Sequence, residues 1–200
     1  MDTDLALRAG WEPIDLARAF LDGGAMLIQL RAKQLSSAAF LDLADAAVRL
    51  ARPYQANIIV NDRADIALMS GAAGVHVGQD DLPPSAARRL MGEAAVVGLS
   101  THSVAQVERA LREPISYVAV GPVFGTRSKD TGYAAVGLEL VGNAVRLAGE
   151  LPVVAIGGIT LDTARSVIEA GATSVAVISD LLVGNDPRSR TQAFVQALTS

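Results

Sequence analysis

The 200-residue chain contains no cysteine. That single absence removes disulfides, zinc–thiolate sites and thiol nucleophiles. Aromatic residues make up only 4% of the chain, and the net charge is −4. Acids and bases are mixed throughout, with no basic block. A nucleic-acid surface needs a basic stripe, so no nucleic-acid partner is expected. No apolar run approaches the roughly 20 residues of a membrane helix. The opening MDTDLALRAGW carries acids where a secretion signal would carry bases. The chain therefore reads as soluble and cytoplasmic, with no membrane partner. A local pocket of Lys and Arg is compatible with the net charge, so a small anionic ligand stays open.

What is present is a globular composition, 50% hydrophobic and 19% charged. The length suits one domain, residues 1–200, with a sizeable core. Short Val- and Ile-rich runs recur: 26–30, 57–61, 74–77, 96–100, 117–121, 153–157 and 174–179. They are too short for helices and read as buried parallel strands. Amphipathic segments separate them, among them 15–22, 36–51, 103–112 and 160–170. A weak repeat joins helix to strand through a Gly-Ala turn, in GGAMLIQL, GAAGVHVG and GATSVAVIS. Glycine there supplies the left-handed residue that ends a helix.

Repeated βα units without a composition break predict an α/β fold. No G-x-G-x-x-G follows the first strand, and polar residues finish most strands. A TIM-type (β/α)8 barrel is therefore expected rather than an open doubly wound sheet. Seven strands are visible, not eight. Nothing in MDTDLALRAGWEP is an apolar strand, so either the first barrel strand is missing from this chain or the sheet is closed another way. A gap would leave unpaired strand edges.

In such a barrel, chemistry sits at the C-terminal strand ends. The first run ends in QLRAK. Gln29, Arg31 and Lys33 alternate with Ile28 and Leu30, which puts the polar set toward the axis. The second run ends in Asn61-Asp62 and the third leads to Gln79, Asp80 and Asp81. Each acid alone reads as a helix cap. Together, at neighbouring strand tops, they suit one hard cation such as Mg²⁺, which takes one or two carboxylates plus waters and phosphate oxygens. Ser100 ends the fourth run; it is a helix-cap candidate as well as a site candidate. His102 beside it is a structural residue or an acid–base group, and His76 is a core or supporting residue. The longest loop, Gly121 to Gly137, carries Thr126, Arg127, Ser128 and Lys129 and reads as a binding loop or a surface loop. Gly157-Gly158 and Ile178-Ser179 follow the last two strands, where barrels often hold a phosphate. A metal and two phosphate positions at one mouth point to phosphorylated small molecules.

QLRAK, NDRADIAL, GVHVGQDDLP, GLSTHS, GPVFGTRSK, VVAIGGIT and AVIS, in this order, resemble the thiamine-phosphate synthase family over about residues 15–182. The resemblance implies a Mg²⁺-dependent transferase that releases pyrophosphate. It would join 4-amino-5-hydroxymethyl-2-methylpyrimidine diphosphate to 4-methyl-5-(2-phosphoethyl)thiazole, or its carboxylate, to give thiamine phosphate. It places Mg²⁺ on Asp62 and Asp81. It assigns Gln29, Arg31, Lys33, Asn61, Ser100 and Lys129 to the pyrimidine diphosphate, with Arg31, Lys33, Ser100 and Lys129 as the catalytic set. Thr126, Ser128, Gly158, Ile178 and Ser179 match thiazole-phosphate positions, with Arg127 between the hydroxyls. The implied reaction is dissociative, through a carbocation-like pyrimidine, and asks for no protein nucleophile.

Two departures stand out. The loop reads GTRSK where relatives commonly have Pro-Thr-x-Thr-Lys. The family's first strand, which usually ends near a Thr-Asp like Thr3-Asp4, is absent. Two other readings remain: a paralogue that tautomerises the thiazole phosphate carboxylate, and a non-catalytic barrel that binds a phosphorylated ligand. A homo-oligomer is possible on any of the three.

Overall fold

In the computed structural model, which describes residues 1–125 and 134–199, seven parallel strands form one curled sheet wrapped by helices. The strands are β1 (Leu27–Leu30), β2 (Asn57–Asn61), β3 (Gly74–Val77), β4 (Val96–Thr101), β5 (Tyr117–Val120), β6 (Val153–Ile156) and β7 (Ser174–Ala176). Their order in the sheet is their order in the chain. This is the TIM-like arrangement expected of right-handed βα crossovers. The seventh strand is shorter than the sequence implies. It ends at Ala176, and the chain leaves it before Ile178.

The helices are α1 (Thr3–Arg8), α2 (Pro13–Asp22), α3 (Ser37–Ala51), α4 (Ala64–Ser70), α5 (Pro84–Met91), α6 (Val104–Ala110), α7 (Gly137–Ala148), α8 (Leu161–Glu169) and α9 (Pro187–Thr199). Their starts follow local chemistry. Ser36 accepts from Ala39 N at 3.2 Å and caps α3, and Ser103 caps α6 in the same way. Their ends follow the glycine repeat. Gly24, Gly71 and Gly171 all have positive φ, at 95°, 67° and 101°. In each case the next residue, Ala25, Ala72 or Ala172, donates back to the preceding helix, at Phe20, Ala67 or Val167. One left-handed glycine and one back-bond thus launch three strands.

The core lies between sheet and helices. Ile28, Leu30, Ile58, Val60, Val75, Val77, Val97, Val118 and Val120 are buried on the sheet. Alanines of α3, α4 and α8 let those helices sit close upon it.

The N-terminal segment differs from expectation in an informative way. No full strand precedes α1, as the sequence implies, but Met1 and Asp2 stand in for the end of one. Asp2 bridges Arg31 in parallel; Arg31 N donates to Met1 O and Thr3 N to Arg31 O, both at 2.9 Å. The Met1 amine donates to Gln29 O. Thr3 and Asp4 are already the first turn of α1, and Asp2 caps it. Below this short ladder β1 has no outer neighbour among the described residues, and neither does β7. The sheet is open along that seam, where Met26 and Leu27 are about half exposed, at 58% and 49%. No helix among the described residues is long and apolar enough to cross a membrane.

Candidate active site

The two acids from neighbouring strands meet. Asp62 leaves β2 with φ +65°, a left-handed conformation that Asp tolerates better than most residues. Its N–H still continues the ladder, donating to His76 O at 2.8 Å. The chain then turns sharply out of the strand at Asp62. Asp81 is held by a short return, its carboxylate accepting from Gly78 N at 2.8 Å. The two carboxyl groups lie within hydrogen-bonding reach of each other.

Neither acid caps the helix that follows it. Arg63 is the residue before α4 and Pro83 the residue before α5, and neither start has a side-chain cap. The nearby Asp65 is engaged elsewhere, gripped by Arg63 in two bonds of 2.8 and 2.5 Å. That leaves Asp62 to the mouth, where Lys33 Nζ pairs with it.

Desolvation raises the Asp81 carboxyl above the ordinary aspartate value, and the bond to Asp62 and its charge push the same way. The Gly78 N–H and Lys33 oppose them. Two acids held together against repulsion form a place for a cation. Asp80 is exposed beside them.

The QLRAK side chains alternate as expected. Ile28 and Leu30 are buried against the helices, while Gln29 takes the other face; β1 ends at Leu30, and Lys33 lies in the bend beyond Arg31. Arg31 Nη1 pairs with Asp2 at 2.5 Å. Asp2 was not legible as a site residue; only the fold brings it to Arg31. Asn61 is buried at the top of β2, in register with His76. Ser100, near the top of β4, bonds His76 Nε2 through its Oγ at 2.8 Å, and its carbonyl accepts from Gln79 Nε2 at 2.6 Å. Ser100 caps no helix; Ser103 does that work. His102 Nδ1 bonds Gly121 O, which ties the end of β5 to the loop after β4.

On the opposite side, Gly157 and Gly158 have φ of +97° and +67°. A Cβ on Gly158 would lie 2.6 Å from Gly125 O, so the double glycine lets the loop after β5 cross over β6. Phe124 N donates to Gly157 O at 3.0 Å along this crossing. Ile178 leads into a 3-10 segment, Ser179–Asn185. Asp180 pins it, accepting from Leu161 N at 3.1 Å and from Arg190 at 2.7 Å. Asp180 is a further residue the sequence alone did not single out. Thr126, Arg127, Ser128 and Lys129 lie outside the described residues.

The model of the family described as thiamine monophosphate synthase matches residues 3–181. The chain belongs to this family. A thiamine-phosphate synthase of Koribacter versatilis is 47% identical over 184 residues, covering 92% of this chain and 85% of the relative. A second, from Roseiflexus castenholzii, is 45% identical over 181 residues, covering 90% and 79%. The solved thiamine phosphate pyrophosphorylase of Pyrococcus furiosus superposes with a TM-score of 0.86 at 32% identity, covering 94% of this chain and 89% of that one. The facing acids at the β2 and β3 tops are thus a feature of a chain in the thiamine monophosphate synthase family.

Proposed function

We infer that the chain is a thiamine-phosphate synthase. It joins the pyrimidine diphosphate to the thiazole monophosphate and releases pyrophosphate. Membership of the family supports the reaction. The observation that carries the site is the meeting of Asp62 and Asp81 beside Lys33 at the strand tops.

The residues fit Mg²⁺. Asp62 and Asp81 offer two carboxylates, which leaves the remaining positions to water and phosphate oxygens, the usual preference of this ion. Bound there, the ion would draw off negative charge as the diphosphate leaves. Arg31 and Lys33 add fixed positive charge on the same side. Asp2 holds Arg31 in place, so the guanidinium need not reorganise as the substrate arrives. Gln29, Asn61 and Ser100 line the lumen side, where the pyrimidine would sit. Gly158 and Ser179 stand across the mouth, where the thiazole phosphate would be held. Lys129, with Thr126, Arg127 and Ser128, would complete both phosphate contacts. The nucleophile is the thiazole nitrogen itself, so the protein's tasks are to orient two substrates and exclude water from a carbocation-like pyrimidine.

The tautomerase reading has no use for two facing acids. Its acid–base candidate, His102, is bonded to the Gly121 carbonyl. The test is pyrophosphate release by the purified chain with Mg²⁺ and both substrates, each omitted in turn. Release only when all three are present supports the synthase. No release from the complete mixture refutes it. Thiazole-carboxylate turnover that survives Asp62→Ala would favour the tautomerase.

A further inference from the structure

A polar chain crosses the barrel lumen beneath the mouth, in a region where apolar side chains would otherwise fill the layer. His76 stands on β3 and Tyr117 on β5, with β4 between them. At that level β4 carries Gly98, in register with both. A Cβ on Gly98 would fall 2.2 Å from the Tyr117 ring. Glycine is what lets the phenol reach across β4 and stack on the imidazole, with centroids 5.5 Å apart and planes at 28°. The Tyr117 hydroxyl meets His76 Nδ1 at 2.7 Å, and His76 Nε2 meets Ser100 Oγ at 2.8 Å. Gln29, from β1 across the lumen, lies beside the same phenol.

The directions of the two His76 bonds are set by its tautomer. Burial pushes the Tyr117 phenol up, and Gln29 works against that rise. The neutral phenol keeps one proton, and His76 Nδ1 is the partner that can accept it. In the tautomer that accepts the phenol proton, Nε2 carries the ring proton and donates to Ser100 Oγ. The Ser100 hydroxyl proton is left to point away from His76.

We propose that His76 is a positioning residue that, held by Tyr117, fixes Ser100 as a hydrogen-bond donor toward an acceptor atom of the pyrimidine diphosphate. This rests on the assignment of Ser100 to that substrate. The chain runs Tyr117 to His76 to Ser100 with Gln29 beside the phenol, so two groups of the same proposed subsite flank it. It selects for a ligand that presents an acceptor to Ser100 and against one that presents a donor.

The test compares two amides at position 76 in the full chain, by steady-state pyrophosphate release with Mg²⁺. Gln places its amide N–H near the Nε2 position and keeps donation to Ser100. Asn reaches only toward Tyr117. His76→Asn is expected to lower kcat/KM roughly tenfold through KM for the pyrimidine diphosphate, the loss of one oriented hydrogen bond. KM for the thiazole phosphate should hold. His76→Gln should recover most of the loss. Ser100→Ala combined with His76→Asn should be no worse than Ser100→Ala alone. If His76→Asn does not fold, Tyr117→Phe carries the comparison, with a smaller loss in the same KM. Equal losses for Gln and Asn that follow melting temperature, or losses that multiply in the double variant, overturn the proposal. If Ser100→Ala matches the unaltered enzyme, the subsite assignment fails. If the unaltered enzyme releases no pyrophosphate, the synthase reading fails before His76 is in question.

Discussion

Asp81→Asn should make the metal-free protein more stable while disabling it. Asp62 and Asp81 face each other, and two unit charges about 4 Å apart repel by about 4 kcal/mol at an effective dielectric near 20. Asp81 is exposed and Lys33 offsets part of the field. Solvent screening leaves about 1 kcal/mol of net relief when one charge is removed. Asn keeps an oxygen to accept from Gly78 N, so the turn survives. In a chain of this length about 1 kcal/mol moves the melting temperature by roughly 2–4 °C. Asp81→Asn in EDTA at pH 7 should therefore melt about that much higher.

The pH dependence has a definite sign. The folded protein holds the Asp81 proton more tightly than the unfolded chain does. Its ionisation therefore withdraws stability as pH rises from the ordinary aspartate value, about 3.9, through the raised one. The gap between variant and parent should open across that window and close below it. Saturating Mg²⁺ reverses the order. At 100 times its dissociation constant an ion bound only by the folded state adds about 2.7 kcal/mol. The parent should gain this and the variant little of it. Pyrophosphate release should fall on the order of 100-fold, since a metal contributes several kcal/mol to such a transition state. Calorimetry with and without Mg²⁺ reads all of this. A variant that melts below the parent in EDTA would mean the carboxylates do not oppose each other. Equal stabilisation of both by Mg²⁺ would put the cation elsewhere.

Gly158→Ala should cost roughly 1–3 kcal/mol by urea titration and raise KM for the thiazole phosphate, because φ is +67° and a Cβ meets Gly125 O at 2.6 Å. Asp180→Ala should cost about 2–4 kcal/mol on the same measurement, since it strips Arg190 of its carboxylate and Leu161 N of its acceptor at once. Amides along the free edges of β1 and β7 should exchange with deuterium at least roughly 100-fold faster than those of β3 to β5, as local opening of an unpaired edge is easier than opening a central strand. Equal protection across the sheet would mean the seam is covered.

Much of the fold could be read from local chemistry. Val- and Ile-rich runs of four to six residues, three of them launched by a glycine after a helix, leave few alternatives to parallel βα units. The alternation in QLRAK is visible because Ile28 and Leu30 are apolar and their neighbours are not. The pairing of Asp62 with Asp81 was legible for a topological reason: consecutive parallel strands lie side by side, so what ends one strand sits near what ends the next. The capping alternative could be removed only by the coordinates, which show Asp65 taken by Arg63 and no side-chain cap on α4 or α5. The end of β7, at Ala176, is not visible in the sequence for a related reason. Ile178 is apolar enough to extend the run, but its backbone has already turned away, at φ −126° and ψ −78°.

What stayed hidden involves partners far apart in sequence and residues whose role is to be small. Asp2 reaches Arg31 only because Met1 and Asp2 lie along the edge of β1, and no composition or period announces that. The His76–Tyr117 pair is harder still. Those residues are 41 positions apart and lie on strands that are not neighbours. The one local sign is Gly98, a residue that weakens a strand interior unless something needs the space. A glycine between Val97 and Leu99 reads as a flaw in β4 until the phenol that crosses it is known. If the proposed role of His76 holds, function in this barrel would depend on an absence at position 98 as well as on the acids at its mouth. Any side chain there would push Tyr117 off His76 and, by the same movement, release Ser100.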